Sequence, residues 1–123
     1  MAPKFTVAAI ELAERAVVFR SPFRFGAVTV NGATQLFVHV TIETGGKRIT
    51  GASAELMVPK WFNKDPNLSA DDTARQLRRS ADIARGIYIQ KRDADTAFGL
   101  SAAPNAAASG GMFSLPQATI CAA

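Results

Sequence analysis

The sequence predicts an α+β domain: an antiparallel meander of three or four strands followed by a small helical segment. Three observations predict it. Residues 36–42 alternate, with Leu36, Val38, Val40 and Ile42 on one face and Phe37, His39 and Thr41 on the other, the two-residue period of a pleated strand. Gly45-Gly46 is a hairpin signal, because glycine takes positive φ without steric cost. From Ser69 onward the period changes to that of a helix: Ala74, Leu77, Ala81, Ala84 and Tyr88 recur at spacings of three and four and form one apolar stripe.

The elements follow in chain order. Residues 4–19 are ambiguous. Their Ala and Glu content suits a helix, whereas Phe5, Val7 and Ala9 alternate and residues 16–19 read as strand. Residues 27–30 predict a short strand, and Asn31-Gly32 predicts a turn after it. The alternating strand 36–42, the Gly45-Gly46 turn and a last extended stretch over 48–58 complete the meander. A Pro-punctuated connector, "PKWFNKDPNLS", leads into the helix. Ser69 is its N-cap, and Asp72, three residues on, completes a capping-box-like pair beside the positive helix end. Asp71 with Arg75 and Arg78 with Asp82 are expected as i,i+4 ion pairs. A second helix is expected near Asp95, weakening at Pro104.

Composition bounds the function classes. A chain of 123 residues suits one domain, and 48% hydrophobic residues can form a core. The net charge is +4 with a pI near 9.7, but acids interleave the bases, so no nucleic-acid partner is expected. The single cysteine, Cys121, excludes an internal disulfide and favours a reducing compartment. It reads as an inert tail thiol, since nothing basic neighbours it in sequence. Glu11, Glu14 and Arg15 interrupt the apolar run that a signal peptide needs, and no run of apolar residues is long enough to span a bilayer. A cytoplasmic protein with no membrane partner is therefore expected. Every charged side chain lies at or before Asp95; the segment from Thr96 on is uncharged and rich in Ala, Gly and Ser.

The ordered set "PFRFGAVTV" (22–30), "LFVHVTIETGGKRITGASAE" (36–55) and "VPKWFNKDPNLS" (58–69), followed by "QLRRS", resembles the N-terminal capping domain of the enolase superfamily, on the mandelate racemase and muconate-lactonizing side. The resemblance covers residues 4–100 and leaves 101–123 as an uncharged tail, expected to be truncated or atypical. It implies an isomerase or lyase parent. There, a (β/α) barrel holds Mg²⁺ on strand-end acids, and Lys or His bases abstract a proton α to a carboxylate. The capping domain closes over the barrel mouth, and two of its loops touch substrate and exclude water. By resemblance those loops match Ser21, Pro22, Phe23, Arg24, Phe25 and Gly26, and Gly51, Ala52, Ser53, Ala54, Glu55 and Leu56. A barrel needs about 200 residues or more, and 25 follow Phe98. The expectation is thus a fragment whose catalytic barrel lies elsewhere: inactive alone, with no catalytic residue, metal ligand or cofactor of its own. Its partners would be the barrel of a full-length parent and, by resemblance, a carboxylate substrate.

Individual residues carry alternative readings. His39 suits a metal ligand or base by chemistry, but it has no His, Cys or carboxylate at ligand spacing and reads as a surface histidine. Glu55 could orient a substrate group or pair with Arg24; the plainer reading is a solvated carboxylate at a strand end. Alternation puts the rings of Phe23 and Phe25 on one side and Arg24 on the other, where Arg24 could meet a carboxylate in bidentate fashion. Trp61 and Phe62 read as anchors of the connector, with Lys60 and Lys64 in water. Arg75, Arg78, Arg79 and Arg85 could form an anion site, though acids interleave them as on a solvated helix face. Two further functions stay open: a free-standing α+β module binding an anion or a protein, and a homo-oligomer pairing by an exposed sheet edge.

Overall fold

A computed structural model describes residues 2–58 and 60–102. It contains three strands and one long helix in the order β1 (Thr6–Phe25), β2 (Val28–Thr44), β3 (Lys47–Met57) and α1 (Ala70–Gln90). The strands form one antiparallel sheet in the order β1-β2-β3. This is the predicted α+β meander, with three strands rather than four. Residues 97–102 are helical, two residues past the expected start near Asp95. Pro104, Cys121 and the rest of the tail lie outside the described residues.

The turns show what each sequence signal was worth. Gly45 and Gly46 link β2 to β3 with φ of 55° and 73°. Two consecutive positive values are what a two-residue hairpin of matching twist requires. The β1–β2 turn falls at Gly26 and Ala27, with Gly26 at φ 56°. The turn expected at Asn31-Gly32 does not form: β2 runs straight through it. A Cβ built on Gly32 would stand 2.5 Å from the Val17 carbonyl oxygen and 3.4 Å from Val18 Cα. Gly32 is therefore glycine because another backbone passes close to it, not because the chain reverses there.

The ambiguity over residues 4–19 resolves as strand. β1 runs unbroken for 20 residues despite its Ala and Glu content. Pairing with β2 overrides a weak helical propensity.

The chain divides into two compact units. One comprises Glu11–His39 and Ala52–Ala81. Its interior holds Val30, Met57 and Thr73, all buried. Thr73 is wholly buried on α1, and its hydroxyl donates to the Ala70 carbonyl oxygen at 2.7 Å. The hydroxyl is thus satisfied inside the helix's own first turn, and burial leaves no orphan polar group. Thr73 falls on the same helical stripe as Leu77 and Ala81, which are half-buried. Arg78 Nε donates to Glu14 Oε1 on β1 at 2.7 Å. The contact holds the guanidinium's affinity for its proton above the ordinary value.

The other unit comprises Met1–Ile10, Val40–Gly51 and the chain from Asp82 onward. Phe5 and Asp95 exchange two backbone hydrogen bonds, at 3.0 and 3.1 Å. The Thr44 hydroxyl donates to the Lys4 carbonyl oxygen at 3.0 Å, and the Thr41 and Thr50 hydroxyls meet at 3.0 Å across β2 and β3. Lys91 Nζ donates to Asp95 Oδ2 at 3.0 Å. The Lys91 ammonium and the Thr96 amide together hold the Asp95 carboxyl below its ordinary range. Leu100 is buried.

The helix start is as predicted. The Ser69 amide donates to Asp72 Oδ2 at 2.9 Å, and the Asp72 amide donates back to the Ser69 hydroxyl at 3.0 Å. The box thus satisfies two of the donors that a helix start leaves open. Two expected side-chain pairs are corrected. Arg75 pairs with Asp72 rather than Asp71, because the capping box already orients the Asp72 carboxylate toward that turn. Arg78 pairs with Glu14 rather than Asp82, because its position on the helix reaches β1.

Candidate functional site

The first substrate-contacting segment expected from the sequence lies at the end of β1. Ser21, Pro22, Phe23, Arg24 and Phe25 are its last residues, and Gly26 is in the turn that follows. A strand's alternation sets the side chains. Phe23 and Phe25, two residues apart, put their rings on one side with centroids 5.7 Å apart. Arg24 points off that row and its Nε donates to the Gly26 carbonyl oxygen at 3.4 Å. All but Phe25 are exposed.

The connector supplies the third ring. Trp61 meets Phe25 edge to face at 5.2 Å and 77°, and lies 6.5 Å from Phe23. Tilted and T-shaped pairs suit the ring quadrupoles, and such contacts add to plain burial. The cluster stays open to solvent: Phe23 is 47% and Trp61 60% exposed. Phe25, Trp61, Lys60, Lys64 and Leu68 line an open groove that runs from the β1–β2 turn to the start of α1.

Lys60 corrects an expectation. It is not simply in water: its ammonium donates to the Asp65 carbonyl oxygen at 2.6 Å and to that of Leu68. Lys60 also takes φ 62°, unusual for a residue with a side chain. The lysine thus cross-braces the loop it begins. Asn63 and Asp65 help, each accepting a bond from the amide two residues on, at 3.1 and 2.9 Å. Lys64 is exposed, as expected.

The second segment, Gly51, Ala52, Ser53, Ala54, Glu55 and Leu56, is not a loop. It lies inside β3, because β3 extends to Met57 before the chain turns away. Glu55 is exposed. Among the described residues the ion pairs are Arg48–Glu43, Arg75–Asp72, Arg78–Glu14 and Lys91–Asp95, so the structure does not join Glu55 to Arg24. His39 is exposed on β2. Among the described residues no three His, Cys, Asp or Glu side chains gather in a metal-holding group. Of the four helix arginines, Arg75 and Arg78 are engaged by carboxylates, while Arg79 and Arg85 are exposed.

The sequence marks Trp61 as an anchor of the connector but not the surface it meets. The aromatic pair at i,i+2 ending β1 has an apolar face to cover, and the fold of the connector brings Trp61 to it. Comparison with protein-family models, curated proteins and solved structures finds no significant match to this chain. No helix of the described residues is long and apolar enough to cross a membrane.

Proposed function

We propose that this chain is the capping domain of a cytoplasmic enolase-superfamily enzyme, acting with a barrel that supplies the chemistry. The observation that carries the reading is the open cluster of Phe23, Phe25 and Trp61 at the end of β1. A lid over a reaction chamber needs an apolar rim that excludes water and a polar group aimed at the ligand. The three rings supply the rim. Arg24, exposed beside them, is the donor suited to a substrate carboxylate.

The chemistry of the parent is metal-assisted proton abstraction α to a carboxylate, as an isomerase or lyase. The residues described here do not fit as holders of the Mg²⁺ ion, since they gather no cluster of acids. The barrel's acids would hold it, and no chemical step is assigned to this chain. Its part is to bind, orient and exclude water.

The test is to read the coding region through and beyond codon 123 in all three frames. A frame continuing for about 200 residues or more, with spaced acids and Lys or His bases, supports the proposal. Prompt closure of every frame overturns it and moves the free-standing binding module to the front.

A further inference from the structure

We propose that β3 pairs edge to edge with β3 of a second copy of this chain, antiparallel, about a two-fold axis at Gly51. The inference goes beyond the capping-domain reading and does not depend on it. β3 has one hydrogen-bonded neighbour, β2, and so presents a free row of amides and carbonyls on its other side among the described residues. Residues 47–55 are all exposed, and consecutive residues of a strand face opposite ways. Both faces of the strand are therefore open along nine residues, which is the kind of edge that templates pairing. The outer edge of β1 is less suited: Pro22 interrupts its donors, and Asp95 already bridges Phe5.

The sequence of β3 specifies the partner. A two-fold axis normal to the sheet keeps each side chain on its own face. Directly opposite residues share a face, so one residue must stand opposite its own copy at the axis. With Gly51 at the axis, Lys47 of each copy stands opposite Glu55 of the other. Arg48 then meets Ala54, Ile49 meets Ser53 and Thr50 meets Ala52. The register gives two symmetric opposite-charge pairs and no like-charge pair. Moving the axis one residue either way loses both pairs, setting Glu55 against Ile49 or Gly45. The middle of the strand, "TGASA", is small and uncharged, so two backbones can approach without bulky neighbours. Arg48 remains free to keep its bond to Glu43 at 2.6 Å on the β2 side.

The experiment is a charge swap read by sedimentation across a concentration series at low salt, with circular dichroism confirming the fold of each variant. The wild-type chain is expected to show a monomer–dimer equilibrium. Lys47→Glu and Glu55→Lys each replace two attractive pairs with two repulsive ones and should weaken dimerisation roughly tenfold or more. Mixed in equal amounts, the two variants restore both pairs and should associate with each other more tightly than either does alone. A monomeric wild type, single variants that dimerise like the wild type, or a mixture no tighter than its components would each overturn the proposal.

Discussion

Trp61 sets its edge against the ring of Phe25 at 5.2 Å, tying the connector to the end of β1 across 36 positions of chain. Trp61 is the only tryptophan in the chain, so its fluorescence reports this contact without interference. Phe25→Leu keeps apolar volume but removes the partner ring. The emission of Trp61 should then shift, and unfolding by urea should move to lower concentration by an amount equivalent to about 1 kcal/mol. An unchanged spectrum and midpoint would mean that the rings are merely near one another and that the cluster organises nothing.

Gly32 is the second place where backbone geometry makes a sharp demand. The Val17 carbonyl oxygen occupies the space that a Cβ would fill. Backbone cannot swing aside as a flexible side chain can. Gly32→Ala should therefore destabilise the protein by about 1–3 kcal/mol, the range for overpacking a fitted interior. Gly86→Ala is the control, since a Cβ there meets nothing within 4 Å and alanine is the better helix former on α1. Equal denaturation midpoints for the two variants would show that the sheet adjusts freely at Gly32.

These two sites mark where sequence was readable and where it was not. The Gly45-Gly46 turn, the Ser69–Asp72 box and the shared side of Phe23 and Phe25 depend on residues within four positions of each other, and local rules reach that far. Asn31-Gly32 carried the same local signal as a turn, but the requirement there comes from β1, many residues away. Residues 4–19 had helix-compatible composition; the partner strand decided the outcome. Arg78 had a suitable acid four residues on and chose Glu14 instead, which no spacing rule along one helix can anticipate. The site followed the same division. Its aromatic row was legible, whereas its tryptophan cover and the Lys60 brace depend on how the connector folds back.

The Arg78–Glu14 contact makes its own prediction. The two side chains are 40% and 35% exposed, so water screens the attraction and the pair is worth little in isolation. A double-mutant cycle of Arg78→Ala and Glu14→Ala should give a coupling of about 0.5 kcal/mol, shrinking as salt is raised. A coupling near zero at low salt would remove the pair as a tie between α1 and β1.

The capping box predicts an acid-sensitive helix start. The hydrogen bonds from Ser69, together with Arg75, lower the Asp72 carboxyl from its usual 3.8 to about 2. A group depressed on folding stabilises the folded state fully above its unfolded value, and that contribution fades as pH falls toward the folded value. The loss should thus run from about pH 4 down to about pH 2, with the helical signal at 222 nm eroding as the box opens. Asp95, lowered by Lys91 and the Thr96 amide, contributes in the same direction. Asp72→Asn cannot titrate, so its stability should depend less on pH across this window, while Ser69→Ala, which removes the hydroxyl bond, should bring the residual titration closer to that of an ordinary carboxylate. If Asp72→Asn and the wild type lose helix along the same acid curve, the box does not govern the start of α1.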